Sequence, residues 1–82
     1  MTEEALMTFP STHDAIGAEK VLAALALPGR LVATPERISA GCGFSMKFPL
    51  AETVRIQEGL TQAGVSYAEI YRIANNRTYV RV

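Results

Sequence analysis

The chain has one cysteine and one histidine in 82 residues. A single cysteine excludes an internal disulfide, and the simplest compartment for it is a reducing cytoplasm. One residue of each kind falls short of the four ligands of a closed zinc site, so no metal centre is expected. The absence of a Cys-x-x-Cys pair removes thioredoxin-like and copper-chaperone readings. Charge of either sign is not in excess: eight Lys and Arg balance eight Asp and Glu. That balance gives no electrostatic footprint for nucleic acid or for an acidic membrane surface. No apolar run reaches the ~20 residues of a membrane helix. The opening Met1-Thr2-Glu3-Glu4 is acidic and does not read as a signal peptide. There is no Gly-x-Gly-x-x-Gly or Walker pattern, so nucleotide binding is unsupported and no cofactor is expected. Linkers, repeats and low-complexity segments are missing as well.

What is present is a globular composition, 49% apolar and 20% charged. The length predicts one small domain over 1–82, which buries ~60% of its unfolded surface. Ala5 to Phe9 reads as a short apolar strand ended by Pro10. Ser11 or Thr12 then caps a helix, with Asp14 in the first turn favouring its dipole. Ala15, Ala18, Leu22 and Leu25 form one apolar stripe along it, and Pro28-Gly29 stops it. Arg30 to Thr34 is a second strand. Pro35 to Gly43 is a loop with one helical turn near Ile38. The alternation of Phe44 to Phe48 points Phe44, Met46 and Phe48 into the core. A second helix follows Pro49, with Thr53, Ile56, Leu60 and Ala63 on one face and Gly64 at its end. Tyr67 to Ile73 is a fourth strand with Tyr67, Glu69 and Tyr71 on one face, where aromatic residues serve packing more often than binding. Asn75-Asn76 reads as a turn, and the 74–82 tail as a possible extra edge strand from Thr78.

The order β-α-β-β-α-β predicts an α+β fold, the ferredoxin-like sandwich: a four-stranded antiparallel or mixed sheet with two helices on one face. The opposite face, given Thr8, Ser45, Lys47 and Arg72, is expected to be open or to pair with a second copy as a homodimer. Strands one and three are expected to run parallel. That arrangement would put the start of helix one and the start of strand three at opposite ends of strands spanning roughly 17 Å.

The cysteine, Cys42, lies between Gly41 and Gly43 in Ser39-Ala40-Gly41-Cys42-Gly43. Glycine admits turns closed to other residues and leaves a neighbouring sulfur uncrowded. Successive N–H groups in such a turn favour an anion. The thiolate is the nucleophilic form, and Arg37 and Lys47 are near enough in sequence to supply positive charge. Two readings stand: a reactive thiol, or a small residue packed under the loop. His13 lies in the first turn of helix one, where it either binds an anion or acts as a base, or simply helps the helix start. A Cys42–His13 dyad is disfavoured by the expected parallel strands. Ser11, His13 and Asp14 are neighbours on one turn and cannot converge as a triad. Arg37 has three readings: a pair with Glu36 or a strand end, a ligand for an anion, or a solvated loop charge.

Phe9-Pro10-Ser11-Thr12-His13-Asp14-Ala15, Ala18-Glu19-Lys20, and Thr34-Pro35-Glu36-Arg37-Ile38-Ser39-Ala40-Gly41-Cys42-Gly43 together resemble the small bacterial Se/S carrier protein-like domains over about residues 5 to 73. The Ser-x-x-Cys-Gly loop and the Ser-Thr-His helix start are the most specific parts. The order Glu36-Arg37 departs from the family pattern, in which arginine directly follows the loop proline. The resemblance implies a carrier that holds sulfur or selenium on Cys42 as a persulfide or selenopersulfide, relayed between a donor and an acceptor protein. The candidate binding residues are Arg37, Ser39, Gly41 and Gly43 of the loop and Ser11, Thr12 and His13 of the helix start. The alternative is a non-catalytic module that binds a small anion or a partner protein, with Cys42 incidental.

Overall fold

A computed structural model describes residues 3–38, 42–74 and 78–82. The element order is β1 (Glu4–Thr8), α1 (Thr12–Ala24), β2 (Arg30–Ala33), β3 (Phe44–Pro49), a 3-10 turn (Leu50–Glu52), α2 (Thr53–Ala63), β4 (Ile70–Ala74) and β5 (Thr78–Arg81). No helix among the described residues is long and apolar enough to cross a membrane.

The strands form one sheet in the order β2-β3-β1-β4-β5. Every pairing in it is antiparallel. The fold is α+β, but the expected four-stranded ferredoxin-like sheet is not what forms. The tail supplies a fifth strand: Thr78–Arg81 pairs along β4 from Ala74↔Thr78 to Tyr71↔Arg81, and the Val82 N–H donates to the Ile70 carbonyl at 2.8 Å. The sheet therefore ends on both sides in four-residue strands, β2 with exposed Arg30 and β5 with exposed Arg81.

A second expectation also fails. β1 and β3 run antiparallel, with Thr8 opposite Ser45 and Glu4 opposite Pro49. The reason is connectivity. The crossover through α1 brings β2 back in the direction of β1, and β3 then reverses against β2 as its antiparallel neighbour. The start of β3 consequently lies beside the end of β1, where α1 begins.

Both helices cover one face of the sheet. Ala5 and Met7 of β1, Met46 and Phe48 of β3 and Ile70 of β4 join Ala15, Ala18, Leu22, Ile56 and Leu60 in one buried core. The predicted stripe of α1 holds through Leu22, but Leu25 is 51% exposed because the helix ends at Ala24, before Pro28-Gly29. Ala26 adopts a left-handed φ of 55°. The Ala26 and Leu27 N–H groups then close on the Ala23 and Leu22 carbonyls, a Schellman stop without its usual glycine. On α2 the buried residues are Ile56, Gly59 and Leu60, and Ala63 is exposed. A Cβ on Gly59 would lie 2.8 Å from Leu25 Cδ1, so the two helices approach closely there. Phe44, expected in the core, is 46% exposed at the open end of β3, opposite exposed Ala33.

The other face is not simply open. Leu6, Thr8 and Ser45 are buried on it. Ile38, also buried, lines a cleft with Tyr71, although β3 and β1 separate β2 from β4 in the sheet. The segment after β2 thus folds back across this face, with a turn closed by the Ile38 N–H to the Pro35 carbonyl at 3.0 Å. Arg72, expected here, instead stands opposite Ala5 and belongs to the helix-covered face. Tyr67 precedes β4, packs against the helix-side core and accepts from Gln57 Nε2 at 3.0 Å, so it does not share a face with Tyr71.

Candidate functional site

The antiparallel register decides the site. Ser11 caps α1 through its side-chain oxygen, which accepts from the Asp14 N–H at 3.3 Å while its hydroxyl donates to Asp14 Oδ2 at 2.8 Å. With that cap formed, Thr12 begins the helix. Because the start of β3 lies at the same end of the sheet, Thr12 Oγ1 and Cys42 Sγ come within 3.6 Å, thirty residues apart in sequence. The expectation that topology keeps Cys42 away from the start of α1 is therefore overturned. No hydrogen bond joins Cys42 to His13 among the described residues. His13 is exposed one residue further along the turn.

Cys42 is a free thiol, 6% exposed, and part of the helix-side core. Its sulfur has three polar neighbours. The Phe44 N–H donates to Sγ at 3.3 Å. The thiol donates to the Phe44 carbonyl at 3.5 Å. The Thr12 hydroxyl is the third, able to act as donor or acceptor. Toward a sulfur anion the Phe44 amide, at the start of β3, and the Thr12 hydroxyl both serve as donors, and Thr12 stands at the first turn of α1, where the backbone dipole favours negative charge. The Phe44 carbonyl opposes that charge, so the site stabilises an anion only in part.

The backbone of Cys42 is fixed from the opposite side. Thr34 Oγ1 donates to the Cys42 carbonyl at 3.2 Å and lies 2.7 Å from Ser45 Oγ. The Thr34 N–H donates to the Gly43 carbonyl at 2.9 Å. Thr34 and Ser45 carry no mark of a site in the sequence. Thr34 read as the last residue of a strand before a proline, and only the pairing of Val32 with Ser45 and Ala33 with Phe44 shows that it reaches back to the cysteine.

The other sequence candidates separate. Thr12 is brought to Cys42, and Ser11 is engaged in capping. Arg37 lies on the segment that crosses the opposite face, lining the cleft with Tyr71. Gly43 is exposed, has no left-handed φ, and a Cβ added there would meet nothing within 4 Å. Its glycine is required by neither conformation nor space. Ser39 and Gly41, like the Asn75-Asn76 turn, lie outside the described residues. Among the described residues no three of His, Cys, Asp and Glu gather into a group that holds a metal ion.

A sequence model of the family described as "Putative Se/S carrier protein-like" matches residues 4–72. No curated protein and no solved structure matches the chain.

Proposed function

Because the chain belongs to this family, whose model spans most of its length, we propose that it carries sulfur or selenium on Cys42 and relays it between two partner proteins. The Cys42 thiolate attacks the terminal atom of a donor's persulfide. A bond from Sγ to that atom forms, the donor's own S–S or S–Se bond breaks, and the donor leaves as a thiolate. An acceptor thiolate then attacks the same terminal atom and releases Cys42 as a thiolate. Each step exchanges one bond for another with no net oxidation, so one cysteine suffices. One unpaired thiol also fits a reducing cytoplasm.

The observation that carries this reading is the convergence of the Phe44 N–H and the Thr12 hydroxyl on the sulfur of the single cysteine, beside the start of α1. Both donors suit a sulfur anion, whether the free thiolate or the departing one. Ser11 contributes by fixing the helix start that presents Thr12.

One observation favours the alternative, a binding module in which Cys42 only packs: the residue is 6% exposed. Transfer requires the surroundings of Cys42 to yield to a partner. Incubation with a cysteine desulfurase and free cysteine, followed by intact mass, separates the two. A carrier gains one sulfur atom, loses it to a reductant, and gains nothing as Cys42→Ala. A native thiol that resists a small alkylating reagent and acquires no sulfur supports the packing role.

A further inference from the structure

On the sheet face away from α1 and Cys42 lies a half-open cleft of about 470 Å³, lined by Arg37, Ile38, Glu69, Tyr71, Thr78, Tyr79 and Arg81. Its volume falls in the range of small-ligand sites, which run ~300–1,000 Å³. Three parts of the chain build it. The segment after β2 contributes Arg37 and Ile38. β4, with the residue just before it, contributes Tyr71 and Glu69. β5 contributes Tyr79 and Arg81. Tyr71 stands opposite Arg81 and Ile73 opposite Tyr79, so both tyrosines and Arg81 are on the same face.

The lining carries two guanidinium groups and one carboxylate. Glu69 Oε1 holds Arg81 Nη1 at 2.9 Å, which orients that arginine at the cleft wall. Arg37 forms no ion pair with a carboxylate among the described residues. Tyr71 and Tyr79 are half-buried. Neither phenol has a hydrogen bond among the described residues. Arginine presents a planar fork of donors matched to carboxylate or phosphate oxygens. Aromatic walls add area for a planar body and two further hydroxyl donors.

We propose that this cleft binds a planar aromatic oxyanion, with Arg37 and Arg81 on its charged end and Tyr71 and Tyr79 against its ring. The same chemistry can arrive as a free small molecule or on a side chain of a partner protein. This inference does not rest on the thiol chemistry, because the two sites occupy opposite faces of the sheet.

The test is an NMR amide titration of the whole chain with phenyl phosphate, with benzoate, with uncharged benzamide as control, and with the same aryl phosphate carried on a short peptide. The proposal expects saturable shifts centred on Arg37, Tyr71, Tyr79 and Arg81 for the anions and much weaker ones for benzamide. Each of Arg37→Ala and Arg81→Ala should weaken binding about tenfold or more, as loss of a charge-assisted contact does. Glu69→Gln should tighten it, since the variant removes the competing carboxylate from Arg81. The tighter-binding of the free and peptide-borne probes names the source. Melting temperatures confirm that the variants fold. The proposal is overturned if no anion gives saturable shifts, if benzamide does equally well, if the shifts centre elsewhere, or if both arginine variants bind as the parent does.

Discussion

The two faces of the sheet are both covered, but by different means. On one face two helices of thirteen and eleven residues seal an apolar core around Met46 and Phe48. On the other lie Leu6 and two buried hydroxyl residues, Thr8 and Ser45, and a short irregular segment, turned at Pro35 and Ile38, crosses this face toward Tyr71. Helices satisfy their own backbone and offer a broad apolar stripe, so they exclude water cheaply. An irregular segment needs partners for each polar group it brings in. Here hydroxyls serve the chain ends on this face: Thr34 links Ser45 to the Cys42 carbonyl, and Thr8 Oγ1 accepts from the N–H of Glu69, just before β4, at 3.1 Å. The helix-covered face is thus built for stability, and the loop-covered face for fixing the strand ends that hold the cysteine.

The sharpest way to separate the faces is to empty each in turn. Phe48→Ala removes a fully buried ring from the helix side and should cost ~3–5 kcal/mol in chemical denaturation. A loss below about 1 kcal/mol would mean the helices do not close over that face. Ile38→Ala should cost less, about 2 kcal/mol, because a loop can settle into the space it leaves. Amide exchange at Leu6 and Thr8 should speed up at the same time; unchanged exchange there would show that the segment does not cover them. Thr34→Val keeps the shape and removes the hydroxyl shared by Ser45 and Cys42. It should cost ~1–3 kcal/mol by leaving a buried group unpaired, and thiol alkylation should quicken as Cys42 loses its anchor. An unaltered alkylation rate would sever the link drawn between the two faces. The smallest effect is expected for Gly43→Ala, within about 0.5 kcal/mol of the parent. A large loss there would mean that the glycine carries a requirement its φ and surroundings do not show.

Much of this could be read from local pattern. The N-cap of α1 and its stripe through Leu22, the core role of Met46 and Phe48, and the stop at Gly64 all follow from residue types a few positions apart. Cys42 stood out because of its rarity and its neighbours, and the family match over residues 4–72 followed from the same words in the chain. The failures share a different origin. Whether Thr12 meets Cys42 depends on strand direction across three elements, and a wrong direction for β1 against β3 moved the contact to the far end of the sheet. Tyr67 and Tyr71 share a parity, but residues 67–69 precede β4, so the alternation of the strand does not reach Tyr67. Phe44 has the parity of a core residue but stands at the first position of β3, opposite exposed Ala33. Thr34 and Ser45 carry no sequence signal of their own, because hydroxyl residues at strand ends are common and only the register shows which pair will touch.

The two ends of the sheet bear on how copies of this protein behave when crowded. An exposed strand invites another edge to add to it, and the invitation grows with the length and flatness of the strand. Both outer strands here stop at four residues and each carries an exposed arginine, Arg30 on one side and Arg81 on the other. Two such ends brought together would gain few ladder bonds and would set guanidinium against guanidinium. Both rims of the sheet therefore offer little to a further strand.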